Sequence, residues 1–305
     1  MGGAMRSTPQ KEHGSLRTPS ARCSLWGVLN VTPDSFSDGG RFETVERALA
    51  HAEAMLAAGA DVIDVGGESS RPAGRTYGDG ALRVPVEEEL RRVVPVVEGL
   101  VARGAVVSVD TVKAEVAAAA LEAGAHIIND VSGGSESLLE VVAAHDAEVV
   151  LMHNRGRGEV AGPNIAYDNV VDEVLEELAY STQRAISAGV ARARIWIDPG
   201  IGFAKTAEQS ATLLGATERF VATGQRVLVG ASRKSFIAAL APCPSGEPPG
   251  PQQRLAGSLA AVTLAAVGGA HAIRVHDVAE SLQALRVTEA SIPASRSGAD
   301  GEEAA

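Results

Sequence analysis

A chain of 305 residues with 45% apolar but only 3% aromatic residues has ample material for one large core, built from Ala, Val, Leu and Gly rather than from rings. A formal charge of −11 excludes a surface made for nucleic acid or anionic lipid, both of which reward clustered Lys and Arg, and no apolar run approaches the roughly 20 residues of a membrane span. Cys23 and Cys243 are too few and too far apart for a disulfide framework or a metal cluster, which points to a reducing compartment, the cytoplasm.

Residues 1–22, rich in Ser, Pro, Gly and Arg, read as a disordered leader, with an organellar transit peptide as the other reading. From there short β-type runs alternate with segments of helical spacing. Strands are predicted at 25–31, 60–66, 105–110, 126–130, 148–153, 194–198, 226–230 and 272–276. Between them, segments such as TVERALAHAEAMLAAGA (44–60), VEEELRRVVPVVEGLVARGA (86–105), VKAEVAAAALEAGA (112–125) and SLAAVTLAAVGGA (258–270) carry helical periodicity. Most stop at a Gly just ahead of the next strand. The predicted organisation is a single domain over 23–291 between a leader of 1–22 and a tail of 292–305.

Eight strands, each followed by a helix, predict an α/β fold of the (β/α)8 TIM-barrel type. An open doubly wound sheet is the alternative, and the absence of G-x-G-x-x-G after the first strand, where NVTPDSFSDGG stands, counts against it. A barrel enzyme works at the C-terminal ends of its strands. Those ends carry Asn30, Glu68, Asp110, Asn129 with Asp130, His153, Asp198, Ser232 to Lys234, and Arg274 with His276. Any one of them could be a helix cap or turn residue; polar groups at every end are harder to explain as caps. Strand alternation puts Asp110 on the face of Ser108, and Arg274 on the face of His276. Arginine forks onto phosphate oxygens and histidine adds a donor, so that pair suits an anion at the barrel mouth; a salt bridge from Arg274 to Asp277 is the competing reading.

In this order, GVLNVTPDSFSDGG, DVIDVGGESSRP, VSVDT, HIINDVSGG, DPGIGFAK, LVGASRKSF, QRLAGSLAAV and RVHDV resemble the dihydropteroate synthase family, from about Leu25 to about Ala290. The resemblance implies a transferase of folate biosynthesis that joins 6-hydroxymethyl-7,8-dihydropterin diphosphate to 4-aminobenzoate. It implies pterin contacts from Asp110, Asn129, Asp198 and Lys234, with Met152 on the ring face or as plain core. It implies diphosphate contacts from Asn30, Arg71, Arg274 and His276, with Asn30 as the protein ligand of Mg2+, which needs few protein ligands where phosphates supply the rest. Catalytic work falls to Asn30, Arg71, Lys234, Arg274 and His276. The aminobenzoate would be framed by Thr32, Pro33, Asp34 and Ser35 in the loop after the first strand, by Ser70 and Pro72 in the loop after the second, and by Phe203 and Ser232. Phe203 can also be read as core. The family also implies a homodimer, with helices near the C-terminus as the contact.

Departures are few. The second loop is lengthened by AGRTYGDGALR ahead of a helix expected near Val84, and Ser70 stands where many relatives have Thr. Nothing is inserted beside Phe203 in GFAK, which predicts sensitivity to sulfonamides. Two other readings are a pterin-binding barrel that transfers a methyl group and a catalytically silent paralogue. The first has no evident use for Arg71, Lys234, Arg274 and His276, and intact Asn30, Arg71 and Lys234 speak against the second.

Overall fold

In the computed structural model, which describes residues 22–31, 41–68, 84–155 and 166–292, eight parallel strands close into a barrel in chain order. They are β1 (Ser24–Asn30), β2 (Val62–Gly66), β3 (Val107–Asp110), β4 (Ile127–Asp130), β5 (Glu148–Met152), β6 (Ile195–Asp198), β7 (Arg226–Val229) and β8 (Ala272–Val275), each within two residues of its predicted run. The ring closes where β1 pairs with β8, Ser24 opposite Ala272. The open doubly wound sheet is therefore excluded.

The helices are α1 (Arg41–Ala57), α2 (Val86–Val101), α3 (Ala114–Glu122), α4 (Glu136–Ala144), α5 (Val170–Ser187), α6 (Ala207–Gly215), α7 (Thr217–Val221), α8 (Ser235–Leu240), α9 (Leu255–Val267) and α10 (Val278–Ser291). Their starts follow from local chemistry. Ser135 caps α4, Asn169 caps α5, and Thr206 with Gln209 forms a reciprocal capping box on α6, so orphan N–H groups of the first turn are satisfied. The helix expected near Val84 begins at Val86, after Pro85, whose fixed φ suits a helix entry.

Strands buried on both faces make two cores. Outward side chains such as Ile63, Val109, Ile128, Val149, Leu151, Ile197, Val227 and Val275 pack under the helices. Inward, Trp26, Val62, Ile127, Val150, Trp196, Leu228 and Ala272 form a separate plug across the barrel, with the two indoles edge to face at 5.4 Å. Because side chains alternate, the residue two positions beyond each plug residue also faces inward, one layer nearer the C-terminal rim. Those next residues are Val28, Asp64, Asn129, Met152, Asp198, Gly230 and Arg274. The apolar plug is thus the floor on which a polar layer stands.

The tails expected at 1–22 and 292–305 lie outside the described residues except for Arg22, which forks onto Asp61 at 2.7 and 2.9 Å, and Ile292. Thr32, Pro33, Asp34, Ser35, Ser70, Arg71 and Pro72 also lie outside them.

Candidate active site

The polar layer is organised around Arg274 on β8. Its Nε donates to Asp64 Oδ2 at 2.5 Å and its terminal nitrogen to Asp110 Oδ2 at 2.9 Å. Asp64 Oδ2 also accepts from Asn129 Nδ2 at 3.1 Å. One carboxylate therefore orients both the guanidinium and the amide, and leaves the amide oxygen of Asn129 unused by that bond. Burial pushes the Asp110 carboxyl up to about 7 against the pull of Arg274, with Asp64 adding to the rise. Burial opposes the charge of Arg274, but Asp64 and Asp110 more than offset it and hold the guanidinium above its ordinary range. The competing salt bridge does not form: Asp277 takes the fork of Arg233 instead, with Nε at 2.9 Å.

Two inward glycines leave space among these groups. A Cβ built on Gly230 would stand 3.7 Å from Asp198 Oδ2, 3.8 Å from Lys234 Nζ and 3.9 Å from Arg274 Cβ, so the three surround one gap. A Cβ on Gly66 would stand 3.6 Å from Asn30 Oδ1 and 3.7 Å from Asp110 Cβ. Asp198 is raised by burial, offset by Lys234, by the Gly200 N–H at 2.7 Å on its Oδ1, and by Lys205 and Arg274. Lys234, the residue before α8, is pushed down to about 8 by burial; its ammonium rests on Ile201 C=O at 2.5 Å and 4.5 Å over the Phe203 ring. Phe203 itself is buried. His276 meets Ser232 twice, the backbone N–H at 3.2 Å and Nδ1 at 3.1 Å from the hydroxyl. Met152 is buried inside the barrel opposite Asp198 in the β5–β6 register.

The structure therefore brings Asp110, Asn129, Asp198, Lys234 and Arg274 to one mouth, with Asn30 at its β1 edge. Other polar strand ends do different work. Asp130 accepts from Ser132 N, Ser132 Oγ and Gly134 N at 2.5–2.7 Å and is a turn-former. His153 is tied to Glu177 and Lys205. Glu68 binds Val84 N–H at 3.1 Å and Lys113 at 2.5 Å. Asp64 was missed by reading strand ends alone, yet its signal was present: a carboxylate in the middle of an apolar run, two residues before an inward glycine.

An inward carboxylate, amide and cation layer over an apolar plug at the C-terminal rim defines a barrel enzyme with a small polar ligand. The sequence matches the pterin binding enzyme family over residues 26–276. It is 45% identical over 272 residues to dihydropteroate synthase of Escherichia coli K12, covering 88% of this chain and 92% of that one. Solved structures agree: dihydropteroate synthase of Xanthomonas albilineans with 4-aminobenzoic acid (46% identity, TM-score 0.80, 89% and 94% covered) and that of Yersinia pestis with a sulfonamide drug (40% identity, TM-score 0.79, 91% and 95% covered). The chain belongs to the pterin-binding enzymes and, within them, to the dihydropteroate synthases, which are transferases.

Proposed function

We propose that this protein condenses 6-hydroxymethyl-7,8-dihydropterin diphosphate with 4-aminobenzoate, giving 7,8-dihydropteroate and diphosphate for folate biosynthesis. The observation that carries the reading is the gap at Gly230, ringed by Asp198, Lys234 and Arg274. In it, Asp198 accepts from the amino group and the adjacent N–H of the pterin, and Asn129 offers a donor or acceptor. Lys234 turns from Ile201 to a ring oxygen or nitrogen, Asp110 lines the pocket and Met152 packs below. A buried polar edge left unpaired costs about 1–3 kcal/mol per group, so the set selects one heterocycle.

The C–O bond to the diphosphate breaks with its electron pair going to the leaving oxygen; the amine nitrogen bonds to the resulting carbon and then sheds a proton. Arg274 and His276, with Arg71, receive the growing negative charge. A neutral aromatic amine needs no strong base, so positioning and charge stabilisation suffice. Mg2+ is implied by the family. Among the described residues no group of three or more His, Cys, Asp and Glu could hold a metal by itself. A single amide oxygen from Asn30 suits an ion that is otherwise ligated by diphosphate and water. Bound there, Mg2+ would neutralise charge on the departing oxygens. Thr32, Pro33, Asp34, Ser35, Ser70, Pro72, Phe203 and Ser232 frame the aminobenzoate, a pocket that also admits sulfonamides.

The working unit is one catalytic domain over 23–291, a cytoplasmic homodimer. No helix among the described residues is long and apolar enough to cross a membrane. Incubating purified protein with both substrates and Mg2+ should release diphosphate only when the amine is present or much faster with it, and should form dihydropteroate. Tight pterin binding without release in either condition would identify a silent paralogue.

A further inference from the structure

The turn that joins β6 to α6, residues 199–205, is strained and gripped by two ammonium groups. Gly200, Gly202 and Ala204 all have positive φ, at 69°, 80° and 51°. For Ala204, which is fully buried, this left-handed geometry is disfavoured and persists only where the surroundings over-determine it. A Cβ on Gly200 would come within 1.9 Å of His153 C=O, so the turn lies directly against the end of β5. Lys234 holds Ile201 C=O from one side. From the other, Lys205 Nζ donates to Phe203 C=O at 3.0 Å, to His153 Nδ1 at 2.9 Å and towards His153 C=O at 3.4 Å.

Lys205 is only 3% exposed, and its hydrogen-bond partners among the described residues are all neutral. A buried cation without a hydrogen-bonded carboxylate is costly, and burial pulls its pKa down to about 7. In its protonated form Lys205 can only donate, and His153 Nδ1 then accepts. The ring proton then sits on Nε2 and points to Glu177 Oε2 at 2.9 Å. The result is a line of hydrogen bonds from α5 through β5 to the Phe203 carbonyl. The charge of Lys205 also bears on Asp198 at the Gly230 gap, but its hydrogen bonds all go to the turn and to His153, so the line positions the turn.

We infer that Lys205 is a positioning residue for the aminobenzoate pocket: by clamping Phe203 C=O to His153 it fixes the turn that sets the Phe203 ring beneath Lys234. This rests on the function proposed above. Asp198 is anchored by its own strand pairing with β5, whereas Phe203 depends on the turn, so loss of the clamp should fall on the second substrate.

The test compares K205M, which removes the ammonium, with K205Q, which keeps a shorter donor. Wild-type protein is assayed first; if it makes no dihydropteroate the proposed function falls, and the variants are not needed to learn that. With an active wild type, K205M should raise KM for 4-aminobenzoate at least tenfold and weaken sulfonamide inhibition in parallel, while KM for the pterin diphosphate moves less than threefold. K205Q should recover part of the difference. Equal rises in both KM values, or unchanged kinetics in K205M, would overturn the assignment. So would failure of both variants to fold, since Lys205 would then serve the whole barrel rather than the turn.

Discussion

At the scale of single residues, the site depends on how one carboxylate is shared. Asp64 is fully buried, and its Oδ2 serves both Arg274 and Asn129 while its Oδ1 has no hydrogen-bond partner. Such an arrangement has no stabilising logic of its own, because an unsatisfied buried carboxylate oxygen is costly. Its use is to point a guanidinium and an amide at the same opening. Asp64→Asn should therefore lower kcat/KM for the pterin diphosphate by roughly 10- to 100-fold, about 1.4–2.8 kcal/mol, with little change in KM for aminobenzoate. Steady-state kinetics with each substrate varied in turn checks this; an unaltered pterin term would remove Asp64 from the account. Asp110, Asn129, Asp198, Lys234 and Arg274 were legible because each occupies one of the last two positions of a strand or the loop after one. Asp64 and Lys205 were not, because one lies inside its strand and the other takes its meaning from His153, 52 residues away in the chain.

At the scale of elements, strand and helix periods located every strand to within two residues, since a parallel strand buried on both faces leaves an unbroken apolar run. The tertiary links between elements were not legible. His153 at the end of β5 joins α5 to the β6–α6 turn, and it does so as a neutral ring: burial first, then the charge of Lys205, holds its pKa down to about 4 in spite of Glu177. Protonating it would place an N–H against an ammonium. The unfolded chain takes up this proton near pH 6.5 and the folded one near 4, so the unfolded state binds more protons across that window and stability is lost as pH falls through it. The full loss is on the order of 3 kcal/mol, or several degrees in Tm. His153→Gln should be less stable than the parent at pH 7 and should converge on it by pH 4, as thermal melts at half-unit intervals would record. Parallel curves for the two proteins would mean that His153 titrates normally.

At the scale of the whole molecule, the outer face of α9 and α10 is unusually apolar among the described residues. Leu264, Val267 and Val287 are 50%, 44% and 64% exposed, three of the six exposed large apolar side chains among the described residues. Val267 and Val287 border a groove with Leu259, Ala284 and Thr288 between the two helices. A chain with a charge of −11 has polar residues available for such a face, and an apolar face of this kind is where a contact between copies would form. Val287 lies nine residues into α10, about 14 Å along the helix from its start beside β8 and hence well away from His276. A charge there, Val287→Glu, would have to be buried twice in a two-fold interface, at several kcal/mol. Sedimentation velocity at micromolar concentration should show the parent as a dimer and V287E as a monomer with unchanged circular dichroism and kcat within about twofold, because each barrel mouth carries its own Asp198, Lys234 and Arg274. A parent that sediments as a monomer would leave the face without a partner copy. A variant that stays dimeric would move the contact to another part of the surface.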